Sequence, residues 1–128
     1  MPDDKPPELE FKKFPLPTQC VLWQQPNLVT TPRGRFETVE TYEDDSHLRR
    51  ALVKCRECGQ LYFYEFYEQV DWDDGDDAQY STYIPVPARD EALRMKELPG
   101  YELLRYSPRL QWDHPTGKPT RLVWIGKP

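Results

Sequence analysis

Cys55-Arg56-Glu57-Cys58-Gly59 is the stretch of this chain best equipped for chemistry. Two thiolates separated by two residues can face one tetrahedral ion across a tight turn. The glycine behind them can take a positive φ at no steric cost, so the backbone can curl until amide N–H groups point at the sulfurs. A third cysteine, Cys20, is followed three residues later by Trp23, which leaves a second Cys-x-x-Cys pair incomplete. Cys20, Cys55 and Cys58 would need a fourth ligand to close a zinc site. His47, eight positions before Cys55 in a polar stretch, is the first candidate, and His114, on a turn near the end of the chain, is the second. The competing arrangement is a metal-free knuckle, with Trp23 filling the volume of a fourth ligand and the thiols acting as small half-buried side chains. Redox use of the pair is disfavoured, because a strand follows it rather than a helix whose N-terminus would lower a thiol pKa. A deaminase-type catalytic metal would need a His-x-Glu element, which the chain lacks.

The pattern Cys55-x-x-Cys58-Gly59 resembles one knuckle of a zinc-ribbon or rubredoxin-type site, over about five residues. The resemblance implies a zinc ion that stabilises a small fold, and it says nothing of substrate or partner. In small finger domains zinc contributes on the order of 10 kcal/mol, enough to decide whether the chain folds.

Asp71, Asp73, Asp74, Asp76 and Asp77 surround Gly75 in a second charged constellation. An EF-hand loop needs glycine at its sixth position and glutamate at its twelfth, whereas Gly75 is fifth from Asp71 and the twelfth residue is Thr82. The five aspartates therefore read as a solvated hairpin tip or as a docking site for a basic protein partner. Tyr62, Tyr64, Tyr67, Trp72, Tyr80 and Tyr83 flank the tip and would supply rigid contact area to such a partner, if they are not core.

Other chemistry is thinly represented. Glu65 and Glu68 could act as general acid or base if burial raised a pKa, but no His, Ser or second carboxylate stands at a motif spacing. There is no Gly-x-Ser-x-Gly, no His-Glu-x-x-His and no phosphate-binding glycine loop. Arg105, Arg109, Lys118, Arg121 and Lys127 lie among Tyr106, Trp112 and Trp124, a mixture that can stack on and neutralise a nucleic acid single strand.

The elements that must position these residues follow from periodicity and turn residues. Residues 1–17 alternate prolines with charged and apolar residues and should form an extended arm. Cys20 to Trp23 predicts a short strand or knuckle arm, residues 36–42 an edge strand, and residues 47–52 one or two turns of helix. Residues 61–72 form the clearest strand, with Tyr62, Tyr64, Phe66, Val70 and Trp72 on an apolar face that only Glu68 interrupts. It pairs across the acidic turn with 80–84 as a hairpin. Pro87 and the Pro99-Gly100 stop bracket a helix over about 88–98, with Asp90 and Glu91 in its first turn. Three more strands are predicted at 101–106, 110–112 and 122–125. The pattern specifies an α+β fold, an antiparallel sheet with one packed helix.

At 128 residues the chain suffices for a single domain, 1–128. Its net charge of −5 and 13 % aromatic content describe a folded acidic protein rather than a disordered one. A pI near 5.1 argues against duplex nucleic acid as partner. The charge is uneven: residues 37–77 hold 13 acidic and 4 basic side chains, while the remainder is net positive. No apolar run is long enough to span a membrane, the first residues lack the pattern of a secretion signal, and three cysteines suit thiols kept reduced, so the chain reads as cytoplasmic. Together these features favour a non-enzymatic interaction module with a complete or degenerate zinc knuckle, in a toxin-neutralising or adaptor role. A single-strand nucleic acid binder and a carboxylate-based metal-dependent enzyme are the alternatives.

Overall fold

The computed structural model describes residues 12–13, 16–25, 32–69 and 77–126. The described elements are β1 (Lys12–Lys13), α1 (Val21–Gln24), a 3-10 turn (Pro32–Arg35), β2 (Phe36–Asp44), β3 (Leu48–Cys55), β4 (Leu61–Gln69), β5 (Ala78–Val86), α2 (Arg89–Met95), α3 (Gly100–Leu103), β6 (Tyr106–Ser107), β7 (Arg109–His114) and β8 (Arg121–Ile125). Six strands make one antiparallel sheet in the order β2-β3-β4-β5-β7-β8. The pairing is between chain neighbours except that α2, α3 and β6 are inserted between β5 and β7. β1 and β6 form a separate two-residue parallel pair. The expected α+β class, with an antiparallel sheet and a packed helix, is the one observed.

The aromatic run of β4 is buried on both of its faces rather than on one. Tyr62 and Phe63 are adjacent in sequence, point to opposite sides, and are both fully buried. One face of the sheet, carrying Ala51, Val53, Tyr62, Tyr83, Leu110 and Trp124, is covered by Leu22 and Trp23 of α1. The other, carrying Leu52, Phe63, Ile84 and Val86, packs on Ala92 and Met95 of α2 and Leu103 of α3. β2 is polar and largely exposed at the edge of the sheet, and register shifts interrupt its ladder at Thr38/Glu40 and Thr41/Glu43. Charge and bulges of this kind blunt an edge against further pairing.

Three segments differ from sequence expectation. Residues 47–52 supply a strand, not a helix, because Arg50 and Leu52 alternate with Ala51 and Val53 and each set finds a buried face between β2 and β4. A short run's weak helical preference yields to pairing on both sides. Cys20–Trp23 forms a single helical turn, held by Trp23 N–H and Gln24 N–H donating to the Cys20 carbonyl at 2.9 and 3.0 Å. The region 101–106 begins as α3 and reaches strand geometry only at Tyr106. Arg105 reaches back to Glu102 at 3.0 Å, a helical i, i+3 spacing, and Leu103 anchors the turn in the core. The helix expected over 88–98 spans Arg89–Met95, with Asp90 and Glu91 in its first turn and Arg94 in its last.

Candidate metal centre

The chain leaves β3 at Cys55 and reverses into β4 through a tight turn. Gly59 N–H donates to the Cys55 carbonyl and Cys55 N–H to the Gln60 carbonyl, each at 2.9 Å. Gly59 makes the reversal at φ +78°, and nothing lies within 4 Å of where a Cβ would stand, so backbone conformation rather than space requires glycine there. The turn presents Cys55 and Cys58 to α1, whose N-terminal cap is Cys20. The three Sγ atoms all lie within 4.8 Å of one another. Sulfurs about 2.3 Å from a tetrahedral zinc would stand about 3.8 Å apart, a spacing inside that limit. The three sulfurs are close enough together to hold a metal ion.

The surroundings suit sulfur that carries negative charge. Burial opposes ionisation of Cys55, yet the backbone amides of Cys58 and Glu57 donate to its sulfur, and with the neighbouring thiols they hold it below the usual thiol range. The curled backbone thus delivers amide donors to sulfur as the Cys-x-x-Cys-Gly pattern predicts. Cys20 is fully buried, and burial pushes its thiol up to about 12 despite interactions with the Tyr62 hydroxyl and the Leu22 amide. Tyr62 itself is raised by burial and by the thiol beside it. Its hydroxyl interacts with Cys20 but has no fully formed hydrogen bond, which leaves a buried polar group without a proper acceptor. An anionic sulfur at Cys20 would supply that acceptor, so the donor set fits a thiolate-bound cation.

No protein-family model, no curated protein and no solved structure matches this chain.

His47 does not join the cysteines. It precedes β3 while Cys55 ends it, and eight extended residues span about 26 Å. Its Nδ1 instead lies 2.9 Å from Glu68 Oε1. Eight positions in sequence would bring the two side chains together only across a turn, and a strand separates them. His114 is likewise elsewhere, 2.7 Å from the Thr120 hydroxyl and edge-on to Trp112. Among the described residues no fourth Cys, His, Asp or Glu completes the group. Trp23 packs on the same core as the cysteines, edge-on to Trp124 with ring centroids 4.9 Å apart. Asp71, Asp73, Asp74 and Asp76 lie outside the described residues. Asp77 is half-buried just before β5.

Glu65 and Glu68 point to opposite faces of β4 and share no site. Glu65 is buried and bound to Arg50, with Oε2 2.7 Å from Nη2. Glu68 is held below the usual carboxylate range by Gln79 and His47. Of the basic C-terminal residues and the rings among them, Trp124 and Tyr106 are buried, Arg105 and Arg121 face Glu102 and Asp113, and Lys127 lies outside the described residues. In the sequence Tyr62 is one apolar strand position among several. Only its place one turn beyond Cys58 hinted at a role beside the thiols.

Proposed function

We propose that the chain is a non-enzymatic protein-interaction module, locked by a structural zinc ion on Cys20, Cys55 and Cys58, whose acidic segment 71–77 meets a basic protein partner. The convergence of three thiols from α1 and the β3–β4 turn is the observation that carries the metal half of this reading. Soft thiolate donors select zinc over hard cations, and an all-thiolate set with Cys20 and Cys55 buried favours a structural role, the fourth position being filled by water or by a group outside the described residues. The ion would fasten α1 to the sheet, which it also meets through Leu22, Trp23 and a 2.7 Å hydrogen bond from Trp124 Nε1 to the Leu22 carbonyl.

The partner half rests on charge. Gln69 and Ala78, which flank the acidic segment in sequence, stand at the same end of the sheet as the turn after Asp44. Five aspartates in that segment add to exposed Asp44 and Asp45, a density suited to steering a basic surface. A toxin-neutralising or adaptor role would use it in this way. The test is capture of basic proteins by the zinc-loaded chain at low and high salt, compared with a variant carrying Asn at the five aspartates. Salt-sensitive capture that the variant loses supports the reading, and capture indifferent to those charges refutes it.

A further inference from the structure

The helices cover only part of their face of the sheet. Beyond α3 the floor of that face lies open as a mainly apolar groove of about 730 Å³, within the range of small-molecule pockets. Its floor carries a lateral row of polar side chains in register across four strands: Arg50 opposite Glu65, Glu65 opposite Thr82, and Thr82 opposite Gln111. All four are buried. A run of buried polar side chains through the centre of a sheet face is costly unless each is satisfied. Arg50 donates from Nε to Glu65 Oε2 at 2.8 Å and from Nη1 to the carbonyls of Lys96 and Leu98. Thr82 donates to Gln111 Oε1 at 3.0 Å.

Arg109 extends this row and differs from its other members. It is half-buried, and burial depresses its guanidinium below the usual arginine value, with Asp113 only partly offsetting the cost. Its Nε donates to Gln111 Oε1 at 3.0 Å, and its Nη1 to the carbonyls of Leu104 and Tyr106 at 2.7 and 3.2 Å. Every one of these acceptors is neutral. Among the described residues no carboxylate lies within ion-pair distance of Arg109, whereas Arg50 has Glu65 and Arg121 has Asp113 at 3.7 Å. The groove therefore holds three arginines against two carboxylates in a chain whose net charge is −5. The same groove is lined by Tyr67, Tyr101 and Leu104, three of the five large apolar side chains left exposed among the described residues, with Tyr101 at 70 %.

We infer that the groove binds a small organic acid with an aromatic or aliphatic body, its carboxylate taken by Arg109 and its body laid against Tyr67, Tyr101 and Leu104. With Nε and Nη1 held by these neutral acceptors, Nη2 keeps its two N–H donors without a partner among the described residues and can donate to a carboxylate oxygen, while the fixed guanidinium keeps its charge. The inference is independent of the metal centre, which belongs to the opposite face of the sheet.

The test uses the full chain as purified and four probe acids, benzoate, 3-phenylpropionate, indole-3-acetate and hexanoate, each paired with its neutral amide. Amide ¹H–¹⁵N spectra follow binding. At least one acid should shift groove resonances saturably, and its amide should bind about tenfold more weakly, as expected for loss of a charge-assisted hydrogen bond. Arg109→Gln should abolish the preference for acid over amide. Tyr101→Ala, at an exposed position that folding does not need, should weaken acid and amide alike. The inference is overturned if no acid saturates by about 10 mM, beyond the weak end of specific affinity. Equal binding of acid and amide, or shifts outside the groove, would overturn it too.

Discussion

Replacing Tyr62 with phenylalanine should have opposite consequences in the metal-bound and metal-free protein. The ring is fully buried and packs edge-on to Phe36 at 5.3 Å, and phenylalanine preserves both the volume and that contact. Only the hydroxyl changes. With neutral thiols it is a buried group lacking a full hydrogen bond, a condition that costs about 1–3 kcal/mol, so its removal leaves the metal-free protein equally or more stable. With a metal bound, the Cys20 sulfur is anionic and the hydroxyl has a charged acceptor, an interaction of about 1.5–3 kcal/mol. By linkage the difference between the two states appears as zinc affinity, which should fall about 10- to 100-fold. Competition against a chromophoric chelator measures that affinity, and urea unfolding with zinc and with excess EDTA measures the two stabilities. Unchanged zinc affinity, or the same loss of stability in both states, would refute the assignment of Tyr62 as a donor to a metal-bound thiolate.

Further outcomes follow from the same structure. Glu65→Leu strands the Arg50 guanidinium in a buried site and should cost about 3–5 kcal/mol, while Arg50→Met with Glu65→Leu should recover part of the loss; a double variant no more stable than the single one in urea would contradict this. Gly59→Ala forces a side chain into positive φ and should cost about 1–2 kcal/mol and weaken zinc binding, whereas Gly34→Ala, with open space and no positive φ, should be close to neutral by the same urea assay. Hydrogen bonding from Arg89 holds the Glu40 carboxyl below its usual value, so the pair's contribution is present above the ordinary carboxylate pKa and lost as pH falls through the depressed one. A carboxyl-resolved NMR titration should place the Glu40 midpoint below that of an unpaired glutamate, and Arg89→Gln should raise it.

The parts of the fold legible in the sequence are those where one local signal agrees with the tertiary environment. The helix between Pro87 and Pro99-Gly100 has its start, stop and first-turn acids written in the chain, and the edge strand at 36–42 shows its polar exposure. The segments at 47–52 and 20–23 were not legible, because each is short and owes its conformation to what it packs against: two neighbouring strands in one case, the open face of Tyr62 and Trp124 in the other. The cysteines divide in the same way. Cys55 and Cys58 announce themselves by spacing and by Gly59, whereas only the tertiary fold brings Cys20 to them and carries His47 to the far end of β3. The polar row from Arg50 to Gln111 was invisible for a related reason, since its members come from four strands and meet only through sheet register.

Zinc content is the most direct test of the proposed centre. Protein purified from zinc-supplemented cells should carry one zinc ion per chain by elemental analysis, and Cys20→Ser, Cys55→Ser and Cys58→Ser should each lower that ratio while the wild-type thiols resist alkylation until the metal is removed. Folded protein that carries no metal, and whose thiols react equally with and without chelator, would contradict the account.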